Sequence, residues 1–137
     1  GNYLLDMAPR PDGSVDDSQK RLFSEIGEWM KINGKSIYQT QGGPYLPIKG
    51  EFVSTRKDNK IYLHLLSSQT SLTLPAFGNK IVSAKIFQTS TKINFKKENG
   101  KFIFSVPADY KNENDIIIEL TIKGATADMA LIKTTVD

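Results

Sequence analysis

The chain has 137 residues, 39% hydrophobic and 24% charged, with a formal net charge of +3. That balance suits one globular domain with a small appendage and excludes a disordered chain. Apolar runs are short, Ile116-Ile117-Ile118 being typical, whereas a membrane-spanning helix needs ~20 such residues.

Residues Gly1 to Pro9 are expected to form a buried strand, because Tyr3-Leu4-Leu5-Asp6-Met7 is almost continuously apolar. A lone strand of this kind cannot cover both its faces. The chain therefore reads as the tail of a larger protein. Pro9, Pro11 and Asp12-Gly13 force a loop, and Asp16, Asp17 and Ser18 are suited to cap a helix. Leu22, Phe23, Ile26, Trp29 and Met30 then recur at helical spacing, and Asn33-Gly34 supplies the stop. Gln41-Gly42-Gly43-Pro44 reads as a linker.

From Ile48 the period changes to two. Glu51–Ser54 and Lys60–Leu65 flank Lys57-Asp58-Asn59 as a hairpin. Ser71–Leu74, Lys80–Phe87, the strictly alternating Thr91–Lys96, Lys101–Val106 and Asp115–Ile122 complete the strand signals. Glu98-Asn99-Gly100 is a strong turn. Met129–Ile132 is expected as an edge strand or a docking segment. The fold class is mainly β, an antiparallel sandwich of about seven or eight strands. The division is 1–40, a linker at 41–47, and a sandwich over 48–137.

Chemistry is sparse. The chain has no cysteine, which excludes disulfides, thiol nucleophiles and Cys-based zinc sites. It has no P-loop, and the lone His64 lies on a strand between leucines, where a structural role on the sandwich is the default. Asp12, Asp16 and Asp17 fall in a turn and a helix cap. Asp6 is an acid inside an apolar segment, where burial is costly unless the group is paired. Trp29 belongs to the helix stripe. Tyr62, Phe87, Phe95, Phe102 and Phe104 are expected mostly in the core, and an exposed aromatic row would instead signal sugar binding. Lys96-Lys97 sits beside a hairpin turn, with no basic stripe to suggest nucleic acid. No metal, cofactor, nucleic-acid or membrane site is expected.

Gly1-Asn2-Tyr3-Leu4-Leu5-Asp6-Met7-Ala8-Pro9-Arg10-Pro11-Asp12-Gly13 resembles the last barrel strand and loop of the family 29 α-L-fucosidases. Leu22, Ile26-Gly27-Glu28-Trp29, Ile32-Asn33-Gly34 and Ile37-Tyr38 are similar to that family's final barrel helix and exit. The likeness covers residues 1–40. It implies a (β/α)8-type barrel remnant followed by the family's C-terminal β domain. The implied parent is a retaining exo-glycosidase that releases terminal α-L-fucose from glycans. In it, one carboxylate attacks the anomeric carbon and a second acid protonates the leaving group. Those residues would lie on earlier barrel strands, so none in this chain is expected to be catalytic. Asp6, Met7 and Ala8 are expected near the pocket of the intact enzyme, because barrel active sites sit at strand carboxyl ends. Asp6 stands where the family usually has Asn, and Ala8 where it usually has Gly, which bears on substrate preference.

The implied partners are the missing barrel and fucosylated glycans. The stripe Leu22, Ile26, Trp29 and Met30 would pack on the barrel; without it the stripe is expected to fold back onto the sandwich or to pair with a second copy as a homodimer. A periplasmic or secreted bacterial location follows from the resemblance. Two other readings are a free-standing carbohydrate-binding sandwich and an adhesin-type interaction domain.

Overall fold

The computed structural model describes residues 4–110 and 115–134. The chain divides into two compact units, the first ending at Gly34 and the second beginning at Lys35.

The first unit holds helix α1, Asp17–Asn33. Asp16 is its N-cap, its carboxylate accepting from the Ser18 backbone N–H at 2.9 Å. Asp17 and Lys31 place acid in the first turn and base in the last, complementing the helix dipole. The helix has the predicted stripe: Leu22 and Ile26 are 50% and 37% exposed, and Phe23, Trp29 and Met30 are half-buried. The segment before it differs from expectation. Leu4–Arg10 carry no strand and are exposed, while residues 1–3 of the expected strand lie outside the described residues. The physical reason is that a ladder needs a neighbour; without one, the backbone groups of this segment face water.

The second unit is a sandwich of two antiparallel sheets among the described residues. The strands are β1 Gln41–Gly42, β2 Phe52–Lys57, β3 Lys60–Leu65, β4 Ser71–Pro75, β5 Ile81–Ile86, β6 Phe95–Glu98, β7 Lys101–Ser105 and β8 Ile116–Ile122. The larger sheet runs β1-β2-β3-β8-β5 and the smaller β4-β7-β6. Both predicted hairpins are present. In the β2–β3 turn Asp58 takes φ 52°, and in the β6–β7 turn Asn99 and Gly100 take φ 49° and 74°. The two successive positive φ values of the β6–β7 turn match the right-handed twist of its flanking strands.

Alternation decides what each strand contributes. Ile61, Leu63 and Leu65 of β3, and Ile116, Ile118, Leu120 and Ile122 of β8, enter a core shared with Leu72, Leu74, Phe102 and Phe104 of the smaller sheet. Phe95 packs on that core. The intervening Tyr62, His64, Ile117 and Glu119 are also buried, on the larger sheet's other face. Tyr62 meets Phe87 edge-on at 5.6 Å there rather than filling the sandwich core.

Two stretches depart from the sequence pattern. Residues 41–47, read as a linker, join the sandwich: Gln41 and Gly42 pair with Arg56 and Thr55, and Tyr45 is a fully buried core residue. Its hydroxyl donates to the Pro75 carbonyl at 2.6 Å. Glycine is needed at position 43 because its φ of 102° is a conformation that L side chains rarely adopt; a Cβ there would also push on the end of the Leu131 side chain, 2.9 Å away. The alternating Thr91–Lys96 run enters the ladder only at Phe95, although Ile93 is buried and Lys92 bridges Lys85. Beyond β8, Met129–Ile132 serves as a docking segment: the Ile132 N–H donates to the Pro44 carbonyl, and the Leu46 N–H donates to the Ile132 carbonyl.

Candidate functional site

The loop from Arg10 to Ser18 is closed by local hydrogen bonds. The Arg10 N–H donates to the Ser14 carbonyl, and the Gly13 N–H to the Arg10 carbonyl, with Gly13 at φ 81°. Asp12 accepts from the Ser14 backbone N–H and hydroxyl at 2.9 and 2.7 Å. Asp16 accepts from the Ser18 hydroxyl at 2.6 Å and pairs with Arg10 at 2.6 Å. The serine hydrogen bonds hold both carboxyls below the usual carboxylate value, with Arg10 adding to the effect at Asp16. A general acid needs the opposite shift. These acids fix the loop and cap the helix.

Asp6, Met7 and Ala8 lie together on the exposed extended segment ahead of that loop. The Asp6 carboxylate accepts from the neighbouring Met7 N–H at 2.9 Å. Asp6 is therefore not a buried acid in this structure, because no adjoining strand covers it.

His64 is buried on β3. Its Nδ1 faces the Asp115 carboxylate oxygens at 3.2 and 3.3 Å. A carboxylate only accepts, so this contact orients the ring with its proton on Nδ1. Nε2 is buried and has no hydrogen-bond partner among the described residues. Among the described residues no hydroxyl hydrogen-bonds to it, so the pair is a ring-orienting contact. Among the described residues, no group of three His, Asp or Glu side chains could hold a metal.

One buried acid was not singled out by the sequence reading. Glu119 is 6% exposed and takes Lys60 Nζ at 2.8 Å, with Lys85 Nζ at 3.6 Å. The signal was an acid inside the otherwise apolar Ile116–Ile122 strand. Two lysines offset the desolvation of a buried carboxylate, and β3 and β5 supply them from the strands on either side of β8.

Among the described residues, aromatic side chains form no exposed row on either sheet. Phe102 and Phe104 are buried, Phe95 and Phe87 are half-buried, and Tyr38, outside the strands, is the one exposed aromatic among the described residues. Lys96 pairs with Glu98, and Lys97 lies over the Phe102 ring, so the basic pair is a solvated hairpin end.

Residues 1–35 match the family model for α-L-fucosidase. Bovine tissue α-L-fucosidase is 32% identical over 94 residues, covering 68% of this chain and 19% of that protein. Mouse tissue α-L-fucosidase is 45% identical over 42 residues, covering 30% of this chain and 9% of that protein. The chain thus spans less than a fifth of the curated relatives it matches. Among solved structures, α-L-fucosidase isoenzyme 1 from Paenibacillus thiaminolyticus superposes with a TM-score of 0.77 at 24% identity, covering 90% of this chain and 31% of that one. A family 29 α-L-fucosidase from Bacteroides thetaiotaomicron, trapped as a covalent intermediate, gives 0.74 at 20% identity, covering 87% and 28%. At these identities the structural likeness is one of fold, and it extends over the sandwich that the family model does not reach. The chain is thus similar to the C-terminal part of α-L-fucosidases, by sequence over residues 1–35 and by fold over the sandwich.

Proposed function

We propose that this chain is the non-catalytic C-terminal part of a retaining exo-α-L-fucosidase acting on terminal α-L-fucose in glycans. One observation carries the reading: residues 1–35 match the fucosidase family model, yet Asp12 and Asp16 of that stretch are committed to a turn and a helix cap, and Asp17, Glu25 and Glu28 to ion pairs on the helix surface. The attacking carboxylate and the proton donor then belong to the remainder of the protein. The test is 4-nitrophenol release from 4-nitrophenyl α-L-fucoside. The intact protein containing this chain turns over and the chain alone does not. Turnover by the chain alone, or none by the intact protein, refutes the assignment.

Asp6, Met7 and Ala8 border the sugar pocket in this reading. Support comes from their exposure and from their place in the matched segment. Asp6→Asn and Ala8→Gly in the intact enzyme should change KM or kcat for fucosides, and unchanged constants would remove these residues from the pocket. The half-exposed stripe Leu22, Ile26, Trp29 and Met30 is covered by the rest of the protein, which the relatives' greater length supports. A homodimer of the intact protein that Leu22→Glu dissociates would assign that stripe to a second copy instead. Export to the periplasm or the medium completes the proposal. It rests on the resemblance alone, and cell fractionation tests it.

A further inference from the structure

Two adjoining hollows open on the sandwich unit where residues 35–41 meet the β2–β3 hairpin. The larger, about 360 Å3, is lined by Lys35, Tyr38, Gln39, Lys57 and Lys60 among others. The smaller, about 220 Å3, shares Gln39 and Lys57 and adds Gln41 and Arg56.

The charges of this cleft are unbalanced. Lys57 Nζ bonds only the neutral Gln39 side-chain oxygen, at 2.8 Å. Arg56 is engaged on two neutral carbonyls, those of Thr126 and Met129. Lys35 is exposed and has no ion pair among the described residues. Lys60 is offset by Glu119, and Asp58 is the one acid in the lining. With Lys85, which shares Glu119, five cations stand against two acids and leave three positive charges uncancelled. Beside them stands the Tyr38 ring, 62% exposed. Accepting from Lys57 leaves the Gln39 amide N–H groups free to donate, and Gln41 adds a second exposed amide.

We propose that this cleft binds an acidic oligosaccharide, one carrying carboxylate or sulfate groups. Lys35 and Lys57 take the acid group by charge-assisted hydrogen bonds. The Tyr38 face stacks on a sugar ring, and the two glutamine amides take hydroxyls. An ion alone would use the lysines and leave the ring and amides without a role. The site uses residues of this chain only, and stands whether or not the fucosidase reading holds.

Isothermal titration calorimetry on the full 137-residue chain tests it with four probes: tetragalacturonate, a heparin-derived tetrasaccharide, neutral cellotetraose and inorganic sulfate. One acidic tetrasaccharide should bind at least about tenfold tighter than cellotetraose or sulfate, and which one does so identifies the acid group. Lys35→Ala combined with Lys57→Ala, and separately Tyr38→Ala, should each weaken that binding about tenfold. Lys97→Ala on the β6–β7 hairpin should leave it unchanged. Equal binding of cellotetraose or sulfate, no saturable binding by either acidic probe, or an equal loss with Lys97→Ala overturns the proposal. The last outcome would reduce the attraction to the chain's overall basic charge.

Discussion

Arg56 fastens the end of the chain to the sandwich. Its Nη1 donates to the Thr126 and Met129 carbonyls at 3.0 and 2.6 Å. Hydrogen bonds from a charged donor each contribute about 1.5–3 kcal/mol net. Arg56 is part-buried, so solvent screening favours the lower end. Arg56→Ala therefore removes about 3 kcal/mol, of the order of a third of a typical domain's stability. The other ties on this segment remain: the Thr126 N–H to the Asp58 carbonyl, the Ile132 N–H to the Pro44 carbonyl, and the Thr134 hydroxyl to the Leu46 carbonyl. The docking segment should consequently loosen without release of β1. Urea unfolding followed by far-UV circular dichroism reports the sheets. With a slope of about 2 kcal/mol per molar urea, the midpoint falls by roughly 1.5 M. Amide exchange at Met129 and Ile132 should rise more than at Ile118. A midpoint shift below about 0.5 M, or exchange rising equally throughout, would refute the view that Arg56 holds this segment.

Three further outcomes follow from the same contacts. Phe104 is fully buried, with Phe95 and Phe102 rings at 5.7 and 6.1 Å; Phe104→Ala should cost about 3–5 kcal/mol in urea unfolding, and a loss under about 1 would mean the core collapses into the gap. Gly43→Ala places a Cβ against Leu131 at φ 102°; it should destabilise by about 1–3 kcal/mol, and a neutral result would show that the backbone relaxes there. Asp12 and Asp16 have folded-state pKa values below the ordinary 3.8. Their stabilising effect is therefore complete above that value and lost as pH falls through the lower folded values. Helix content by circular dichroism should hold steady down to that region and then drop, with the step diminished in Asp16→Ala. An identical acid titration in that variant would contradict the cap's role.

Local elements were readable where one segment supplies its own partners. Helix α1 follows from the spacing of Leu22, Ile26 and Trp29 and from the Asp16 cap, because helix bonds and caps close within a few residues. The β2–β3 and β6–β7 hairpins follow from alternation flanking turn residues tolerant of positive φ. Leu4–Pro9 misled for the complementary reason: apolar content marks a strand only if another strand is there to pair with it. The Gly-rich run at 41–44 resembled a linker because the sequence could not show that Gln41 and Gly42 would pair with β2 and Tyr45 enter the core.

The sequence by itself determined the helix, the hairpins, the antiparallel β class and, through residues 1–35, the likeness to α-L-fucosidases. Tertiary structure decided which faces are covered, and that depends on strand order rather than local pattern. Placing β8 between β3 and β5 buried Ile117 and Glu119 on the second face and brought Lys60 and Lys85 to the acid. Folding residues 35–41 against the β2–β3 hairpin assembled Lys35, Tyr38 and Lys57 into one cleft. Chain-distant charges meet only once the strands are paired, because alternation assigns each residue a face but never names the neighbour it will find there.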